Sequence, residues 1–215
     1  MTLAPHLAHG IAAIGLTIPP DTQTLLLRYL GLIQKWNSVH NLTALRDPEA
    51  MLVRHLLDSL AIAPHIGGQR IADVGSGAGL PGIPLALAHP EWHVALIESN
   101  HKKAIFLQQA RIELDIKNIE VVVGRAENFD SAERFDIVIS RAFSDLTDFV
   151  KLAAHLCKPS GKLMAMKGIY PHEELSQLPP QFTVDKILPI TVPGLAADRH
   201  LIVIKRSSMI APLER

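Results

Sequence analysis

The first 65 residues of the chain repeat their apolar side chains with the spacing of helices. One stripe, at the i, i+3, i+4, i+7 spacing of a helix face, consists of Leu26, Tyr29, Leu30, Ile33 and Trp36. Asp21 lies just ahead of this stripe and is expected to cap the helix, because a side-chain carboxylate can accept a free N–H group at a helix start. The polar and aromatic residues 36–43 are expected to form the loop that follows.

A second helix is predicted to begin at residue 47. Asp47, Pro48 and Glu49 supply a capping carboxylate, a proline suited to the first turn and an acid near the positive end of the helix dipole. The apolar stripe of this helix consists of Val53, Leu56, Leu57 and Leu60, and Pro64 is expected to end it. Residues 1–65 are therefore predicted to form an N-terminal helical extension packed on the core.

After residue 66 the pattern changes to strands that alternate with helices. Short runs rich in Val and Ile predict strands at 70–74, 93–97, 119–123, 135–140 and 162–167. Helical spacing between these runs implies right-handed crossovers and a parallel sheet. Two further strands, at 182–188 and 200–205, have no helix between them and are expected to form an antiparallel pair. The chain is thus predicted to be an α/β protein with seven strands.

Glycines follow the first predicted strand at alternate positions. The segment 73–82 reads Asp-Val-Gly-Ser-Gly-Ala-Gly-Leu-Pro-Gly and contains Gly75, Gly77 and Gly79. Glycine adopts positive φ and lets a ligand approach the main chain closely, and such a loop at the carboxyl end of a parallel strand is typical of a nucleotide-like cofactor site. Glu98 ends the second strand, where an acid would accept hydrogen bonds from ribose hydroxyls. A purely structural turn is the alternative interpretation of these glycines.

The residues after the glycines indicate which cofactor the loop would bind. A dinucleotide-binding loop usually has the spacing G-x-G-x-x-G, and its pyrophosphate binds the free N–H groups of a helix start. Here the spacing is G-x-G-x-G, and Pro81 and Pro84 lack N–H groups. The pattern favours S-adenosylmethionine over a dinucleotide, which makes an oxidoreductase the weakest interpretation.

Composition limits the class of protein. The 215 residues are 48% hydrophobic and 20% charged, which is typical of one globular domain, or of one domain with a small extension. No apolar run approaches the roughly 20 residues that span a bilayer, and the start of the chain does not resemble a signal peptide. The formal net charge of zero argues against non-specific nucleic-acid binding but allows a local basic patch.

Cysteine and histidine usage indicate a cytoplasmic protein without a metal. A single cysteine, Cys157, excludes an internal disulfide. Because Cys157 is expected in the turn before the fifth strand, far from the cofactor edge, we interpret it as a packing residue and not as a nucleophile. The 11 histidines lack the spacing of metal ligands on one face, so no metal is predicted.

Several motifs together resemble those of class I methyltransferases. More narrowly, they are similar to bacterial 16S rRNA guanine-N7 methyltransferases, the family once called glucose-inhibited division protein B. The similarity covers nearly the whole chain and rests on residues 36–37, 41–43, 55–60, 73–82, 98–99, 102–103, 106–107, 124–127, 140–142 and 167–168. The resemblance implies a Rossmann-like sheet of seven strands with an N-terminal helical extension, and a methyltransferase domain over residues 66–215.

The resemblance also implies which residues bind the cofactor. They are Asp73, Gly75, Gly77, Gly79, Leu80, Glu98, Ser99, Ala126, Glu127 and Arg141. The main chain of Ala126 would read the adenine edge. From its pattern alone, Glu127 is equally well explained as a solvated loop acid.

Three basic residues are candidates for catalysis, namely Arg141, Lys167 and Arg199, which are expected at one edge of the sheet. Guanine N7 carries an in-plane lone pair and no proton, so no general base is required and orientation would supply the catalysis. Arg141 would contact O6 of guanine, a phosphate or the cofactor; without the resemblance, a surface ion pair explains it better. Lys167 and Arg199 are candidates for phosphate contacts.

The resemblance implies methyl transfer from S-adenosylmethionine to N7 of the guanine at position 527 in 16S rRNA. The small ribosomal subunit would be the partner, and a monomer is expected. Two alternatives remain open at this stage. One is a methyltransferase that acts on a small molecule or a protein, which the neutral net charge favours. The other is a non-catalytic protein that binds the cofactor and assists ribosome assembly.

Overall fold

The N-terminal part of the chain is helical. The computed structural model describes residues 3–141, 143 and 145–207. The helical elements of its N-terminal part are α1 (Leu3–Ile14), α2 (Pro20–His40), α3 (Pro48–Met51), a π-helical segment (Leu52–Leu57), α4 (Asp58–Leu60) and a 3₁₀ turn (Ala63–His65). None of the helices among the described residues is both long and apolar enough to cross a membrane.

The remaining described residues alternate between strands and helices. The strands are β1 (Arg70–Val74), β2 (His93–Glu98), β3 (Ile119–Val123), β4 (Phe135–Ser140), β5 (Cys157–Lys167), β6 (Phe182–Pro189) and β7 (His200–Arg206). The helices are α5 (Gly82–Ala88), α6 (His101–Glu113), α7 (Leu146–Ala153) and α8 (His172–Ser176), with 3₁₀ turns at Ala126–Asn128 and Ala154–Leu156.

The seven strands form one mixed sheet. Their order is β3-β2-β1-β4-β5-β7-β6; the pairs among β1 to β5 are parallel, and β7 runs antiparallel to both β5 and β6. This order confirms the predicted fold class and the antiparallel pair at the end. Strand order reverses between β1 and β4, and ligands of open α/β sheets bind beside such a switch point, at the carboxyl ends of the strands.

Both faces of the sheet are covered. On β1, Ile71 packs on one side with apolar residues of the N-terminal helices and of α5 and α6. Its neighbour Ala72 packs on the other side with Phe149 and other residues of α7. The N-terminal helices therefore share a core with the sheet. The predicted boundary between extension and domain at residue 65 stays a prediction, and residues 208–215 of that predicted domain lie outside the described residues.

Two features of α2 differ from the prediction. Pro19 occupies the N-cap position with no side-chain hydrogen bond, and Asp21 lies in the first turn. The predicted cap was wrong, although a carboxylate in the first turn still faces the positive end of the helix dipole. The helix also continues through residues 36–40, which were predicted to be loop, and it ends where Asn41 adopts the left-handed conformation (φ 49°).

The second predicted helix is interrupted. The Asp47 cap is confirmed, because its carboxylate accepts a hydrogen bond of 2.7 Å from the Ala50 N–H group. The helix then widens into the π-helical segment and stops at Leu60, before the proline predicted to end it, because Pro64 lies in the 3₁₀ turn. A π-helical turn is uncommon and often lies at a functional site.

Strand β5 begins earlier than predicted. Cys157, expected in a turn, pairs with Phe135 at the start of the strand, and the register shifts before Ile137 pairs with Lys162. The shift accommodates the Pro-Ser-Gly residues that suggested a turn. Cys157 is buried at the amino edge of the sheet, away from the carboxyl edge, and burial raises the pKa of its thiol to about 11. An un-ionised thiol is a poor nucleophile, in agreement with a packing role.

Candidate functional site

The loop after β1 requires its glycines for two different reasons. Gly75, Gly77 and Gly79 have φ values of 72°, 60° and 88°, a region that other residues rarely adopt. A Cβ atom on Gly79 would lie 2.5 Å from Ile83 Cδ1, whereas one on Gly77 would meet only the Gly75 carbonyl oxygen at 3.8 Å. Gly79 is therefore needed for packing, and the main chain at Gly77 is open to a ligand.

Glu98 holds this loop in place. Its carboxylate is 6% exposed and accepts hydrogen bonds of 2.7 Å from the N–H groups of Gly77 and Asn100, one on each oxygen. Each carboxylate oxygen has a second lone pair, so these contacts leave acceptor capacity for ribose hydroxyls. That Glu98 binds the ribose stays a prediction. Its carboxylate lies directly beside Gly77, whose main chain is open to a ligand.

Asp73 supports the loop from beneath. Its side chain is fully buried, and Oδ2 accepts a hydrogen bond of 2.9 Å from the Gly82 N–H group. Burial raises the pKa of Asp73 to about 7, although the hydrogen bond from Gly82 lowers it. Asp73 was predicted to contact the cofactor, and that contact stays a prediction; in the structure its carboxyl group contacts the protein.

The outer cavity lies at the carboxyl ends of β1, β2 and β3 and measures ≈ 330 Å³. It brings Gly75 together with Ser99, Ala126 and Glu127, which were all predicted to bind the cofactor. Ala126 is buried in its 3₁₀ turn, while the Glu127 carboxylate lies 3.5 Å from Arg125. Gly75 also lines a second cavity, the loop cavity, so the two cavities adjoin.

The loop cavity, of ≈ 220 Å³, lies between the glycine loop and the N-terminal helices. Gly75, Gly77, Leu80 and Arg141, all predicted cofactor residues, line one part of it, and Leu42, Thr43 and His55 line another. The imidazole Nε2 of His55 lies 3.0 Å from the Thr43 hydroxyl. Burial, with a smaller contribution from Arg141, lowers the pKa of His55 to about 4, so the ring is neutral at neutral pH.

A buried asparagine positions the segment that carries Thr43. Asn37 is 4% exposed; its Oδ1 accepts a hydrogen bond of 2.9 Å from the Thr43 N–H group. Its Nδ2 donates one of 3.2 Å to the Leu45 carbonyl. The end of α2 thereby fixes one wall of the loop cavity.

The arginine cavity, of ≈ 310 Å³, follows the loop cavity, and His55 and Arg141 line both. Its lining includes the three predicted catalytic candidates, Arg141, Lys167 and Arg199. Two residues of the N-terminal helical part, Arg54 and Asp58, line the same cavity. The sequence reasoning did not single out Asp58, although it lies in the motif at residues 55–60. Their catalytic roles stay predictions.

Acidic residues hold these cations. Asp58 Oδ1 accepts a hydrogen bond of 2.9 Å from Arg199 Nε, and Oδ2 lies 3.4 Å from Arg141 Nη1. Lys167 Nζ donates to Glu174 at 2.7 Å and to the Phe143 carbonyl at 3.3 Å. A phosphate at Lys167 would therefore share this ammonium group with Glu174.

Comparison with known proteins identifies the family. The model described as "GidB: rRNA small subunit methyltransferase G" matches residues 22–202. The chain belongs to this family. It is similar to ribosomal RNA small subunit methyltransferase G of Nitrosospira multiformis, with 65% identity over 96% of this chain and 99% of the relative. For the protein of the same name from Aromatoleum aromaticum, the identity is 53% over 95% of this chain and 99% of the relative.

Solved structures share the fold at low sequence identity. The O-methyltransferase TomG from Streptomyces achromogenes, solved in complex with SAM, matches with a TM-score of 0.59 and 19% identity, over 96% of this chain and all of TomG. The mitomycin 7-O-methyltransferase MmcR matches with a TM-score of 0.61 and 14% identity, over 94% of this chain and 67% of MmcR. The predicted family and the predicted methyltransferase fold are both confirmed.

Proposed function

We propose that the protein transfers the methyl group of S-adenosylmethionine to N7 of the guanine at position 527 in 16S rRNA. The observation that carries this proposal is a row of three cavities along the carboxyl edge of the sheet, each of which shares lining residues with the next. Gly75 joins the outer cavity to the loop cavity, and Arg141 joins the loop cavity to the arginine cavity. A methyl donor and a polyanionic acceptor can therefore meet at Arg141.

The residues at the outer end fit the proposed cofactor. Gly77 is left-handed with open space above it, Glu98 lies within hydrogen-bond distance of that glycine, and Ala126 lines the same cavity as Gly75. These residues would hold the methionine part, the ribose and the adenine. S-adenosylmethionine supplies an electrophilic methyl group on a positively charged sulfur.

The inner end fits a nucleic acid. Arg54, Arg141, Lys167 and Arg199 line the arginine cavity, and Asp58 is the only acid among the described residues that line it. The chain as a whole has a net charge of zero, so the positive charge is local. Guanidinium groups bind phosphates and the O6 atom of guanine, which supports RNA over an uncharged small molecule.

In the proposed reaction, the residues of the arginine cavity orient the acceptor and do not transfer a proton. Both oxygens of Asp58 face arginines, and a lowered pKa keeps His55 neutral. A pKa of about 4 makes the His55 imidazole a weak base, and guanine N7 needs no base because its lone pair is free. Holding N7 in line with the methyl group is a proximity effect, which can lower a barrier by up to about 7–11 kcal/mol.

Incubation with labelled S-adenosylmethionine tests the proposal. Purified protein is given small ribosomal subunits, naked 16S rRNA or a cell extract, and the label is traced to RNA, protein or small molecules. Label in 16S rRNA supports the proposal. Label confined to protein or small molecules contradicts it, and cofactor binding without transfer to any fraction favours a binding protein.

A further inference from the structure

We propose that Asp58 is a positioning residue that aims Arg141 and Arg199 into the arginine cavity. Its effect on activity rests on the proposed function, whereas its effect on the arginines does not. The Asp58 side chain is 4% exposed and its carboxylate pairs with one guanidinium on each oxygen, at 2.9 Å to Arg199 Nε and 3.4 Å to Arg141 Nη1.

The three residues come from separate parts of the chain. Asp58 begins α4 in the N-terminal helical part, Arg141 directly follows β4, and Arg199 directly precedes β7. A single carboxylate thus connects two strands, β4 and β7, at one edge of the sheet with the N-terminal helices. Because one residue fixes both cations, a change at Asp58 moves two walls of the cavity at once.

The contacts leave each guanidinium partly available. The Arg141 and Arg199 side chains are 28% and 23% exposed, and both line the cavity. Arg199 uses Nε for Asp58 and Nη1 for the Asp198 carbonyl at 2.8 Å. Arg141 uses Nη1 for Asp58 and for the Arg54 carbonyl at 3.1 Å. A guanidinium has five N–H donors, so donors remain for a phosphate or a guanine oxygen.

Removal of the negative charge of Asp58 makes the net charge of the arginine cavity more positive. Without it, Arg141, Arg199 and Lys167 line the same cavity without the carboxylate that pairs with both arginines, and like charges repel. The arginines then lose their shared counter-charge and each keeps a hydrogen bond to a backbone carbonyl, Arg54 for Arg141 and Asp198 for Arg199, so we expect both guanidinium groups to shift toward solvent. We expect the rate of transfer to fall more than the affinity for the cofactor, because no hydrogen bond or ion pair among the described residues joins Asp58 to the glycine loop or to Glu98.

The first test is the variant Asp58→Asn, which keeps the shape and removes the charge. Its rate of methyl transfer to rRNA at saturating cofactor is expected to fall on the order of 10²-fold, the size expected for a misplacement of about 1 Å. The matched control is Asp185→Asn. Asp185 also joins two cations, Lys162 at 3.0 Å and Lys205 at 2.6 Å, but Asp185 and Lys162 line a different cavity, which includes His65 and Gly67 ahead of β1.

A double variant separates positioning from general stability. If Asp58 acts through Arg199, Asp58→Asn costs much less in an Arg199→Gln background than in the wild-type protein. Losses that multiply fully in the double variant overturn the proposal. So does a loss for Asp58→Asn no larger than that for Asp185→Asn. Partial recovery of the rate in Asp58→Glu, which restores the charge, supports it.

A measurement on the unmodified protein needs neither a variant nor RNA. NMR is expected to show that the Nε–H proton of Arg199 exchanges with water at least about tenfold more slowly than that of Arg111, whose side chain lies on an exposed position of α6. Equal exchange rates overturn the pairing. If the wild-type protein fails to methylate rRNA while this proton is protected, the proposed function fails and the Asp58 arrangement stands.

Discussion

The phenol of Tyr29 donates a hydrogen bond of 2.5 Å to the carbonyl oxygen of Ala78. Tyr29 is fully buried on α2, and Ala78 lies between the glycines of the loop after β1. Burial raises the pKa of Tyr29, so the hydroxyl stays a donor at neutral pH. The N-terminal helices therefore support the loop proposed to bind the cofactor.

We predict that Tyr29→Phe weakens the loop. It leaves the Ala78 carbonyl without its buried donor, which costs about 1–3 kcal/mol, and the affinity for S-adenosylmethionine falls because the loop is less ordered. Calorimetry measures the affinity for the cofactor, and thermal unfolding measures the stability of the protein. The control is Thr24→Val, which removes an exposed hydroxyl bonded to Pro20 at 3.0 Å on the same helix. Unchanged affinity in Tyr29→Phe would contradict the predicted coupling.

Gly77→Val is expected to abolish cofactor binding. A β-branched residue is strongly disfavoured at φ 60°, and its side chain occupies the open space above the loop. The matched control is Gly15→Val, which has a φ of 83° and open space around it but lies just after α1. Both variants are expected to lose stability, and only Gly77→Val to lose binding. If Gly77→Val binds the cofactor as the wild type does, the loop is not the site.

Gly82→Ala tests the contact beneath the loop. Its Cβ atom would lie 2.3 Å from Leu96 Cδ2 and 2.8 Å from Asp73 Oδ2, so the variant is expected to lose about 1–3 kcal/mol of stability. Gly31→Ala, in α2 with nothing within 4 Å of the added atom, is expected to gain about 0.5–1 kcal/mol. Denaturant unfolding measures both, and equal shifts would show that Gly82 is not tightly packed.

Asp73 makes stability depend on pH. Burial raises its pKa from 3.8 to about 7, so between these values the unfolded chain releases a proton that the folded protein keeps. The stability that this group contributes is present below about pH 4 and is lost as pH rises toward 7. The melting temperature of the wild type, relative to that of Asp73→Asn, is therefore expected to decrease from pH 5 to pH 8.

Asp185→Asn is the control for this titration. Hydrogen bonds from Lys205 and Lys162 lower the pKa of Asp185 to about 2, so its contribution is lost only in acid. The melting temperature of the Asp185→Asn variant is therefore expected to change in parallel with that of the wild type from pH 5 to pH 8. A parallel course for Asp73→Asn as well would mean that Asp73 does not titrate in this range.

The strands and the glycine loop were predictable because their signals are local. Period-two and buried apolar runs mark the strands, and alternate glycines mark left-handed turns. The predicted cap at Asp21 was wrong because α2 begins at Pro20 with Pro19 as its N-cap, two residues earlier than a cap at Asp21 requires. The end of α2 was misplaced because the polar residues 37–40 suggest a loop, whereas Asn37 is buried and bonded to the segment that follows.

The partners of the site residues were not predictable in the same way. Asp58 pairs with Arg199 across 141 positions of sequence, and no local pattern encodes such a contact. Lys167 was expected to bind phosphate, but its pairing with Glu174 depends on how α8 folds back after β5. Tyr29 and Ala78 likewise meet only through tertiary packing. The sequence pattern indicates the glycine loop after β1, and the structure shows which side chains hold this loop in place.

The acceptor atom is the central claim, and mapping of the methylated position tests it most directly. After incubation of small ribosomal subunits with the protein and S-adenosylmethionine, the 16S rRNA is reduced with borohydride and treated with aniline, which cleaves at N7-methylguanine. Primer extension then locates the break. The account predicts one enzyme-dependent break at the guanine at position 527. Methylated rRNA without a break there would contradict it.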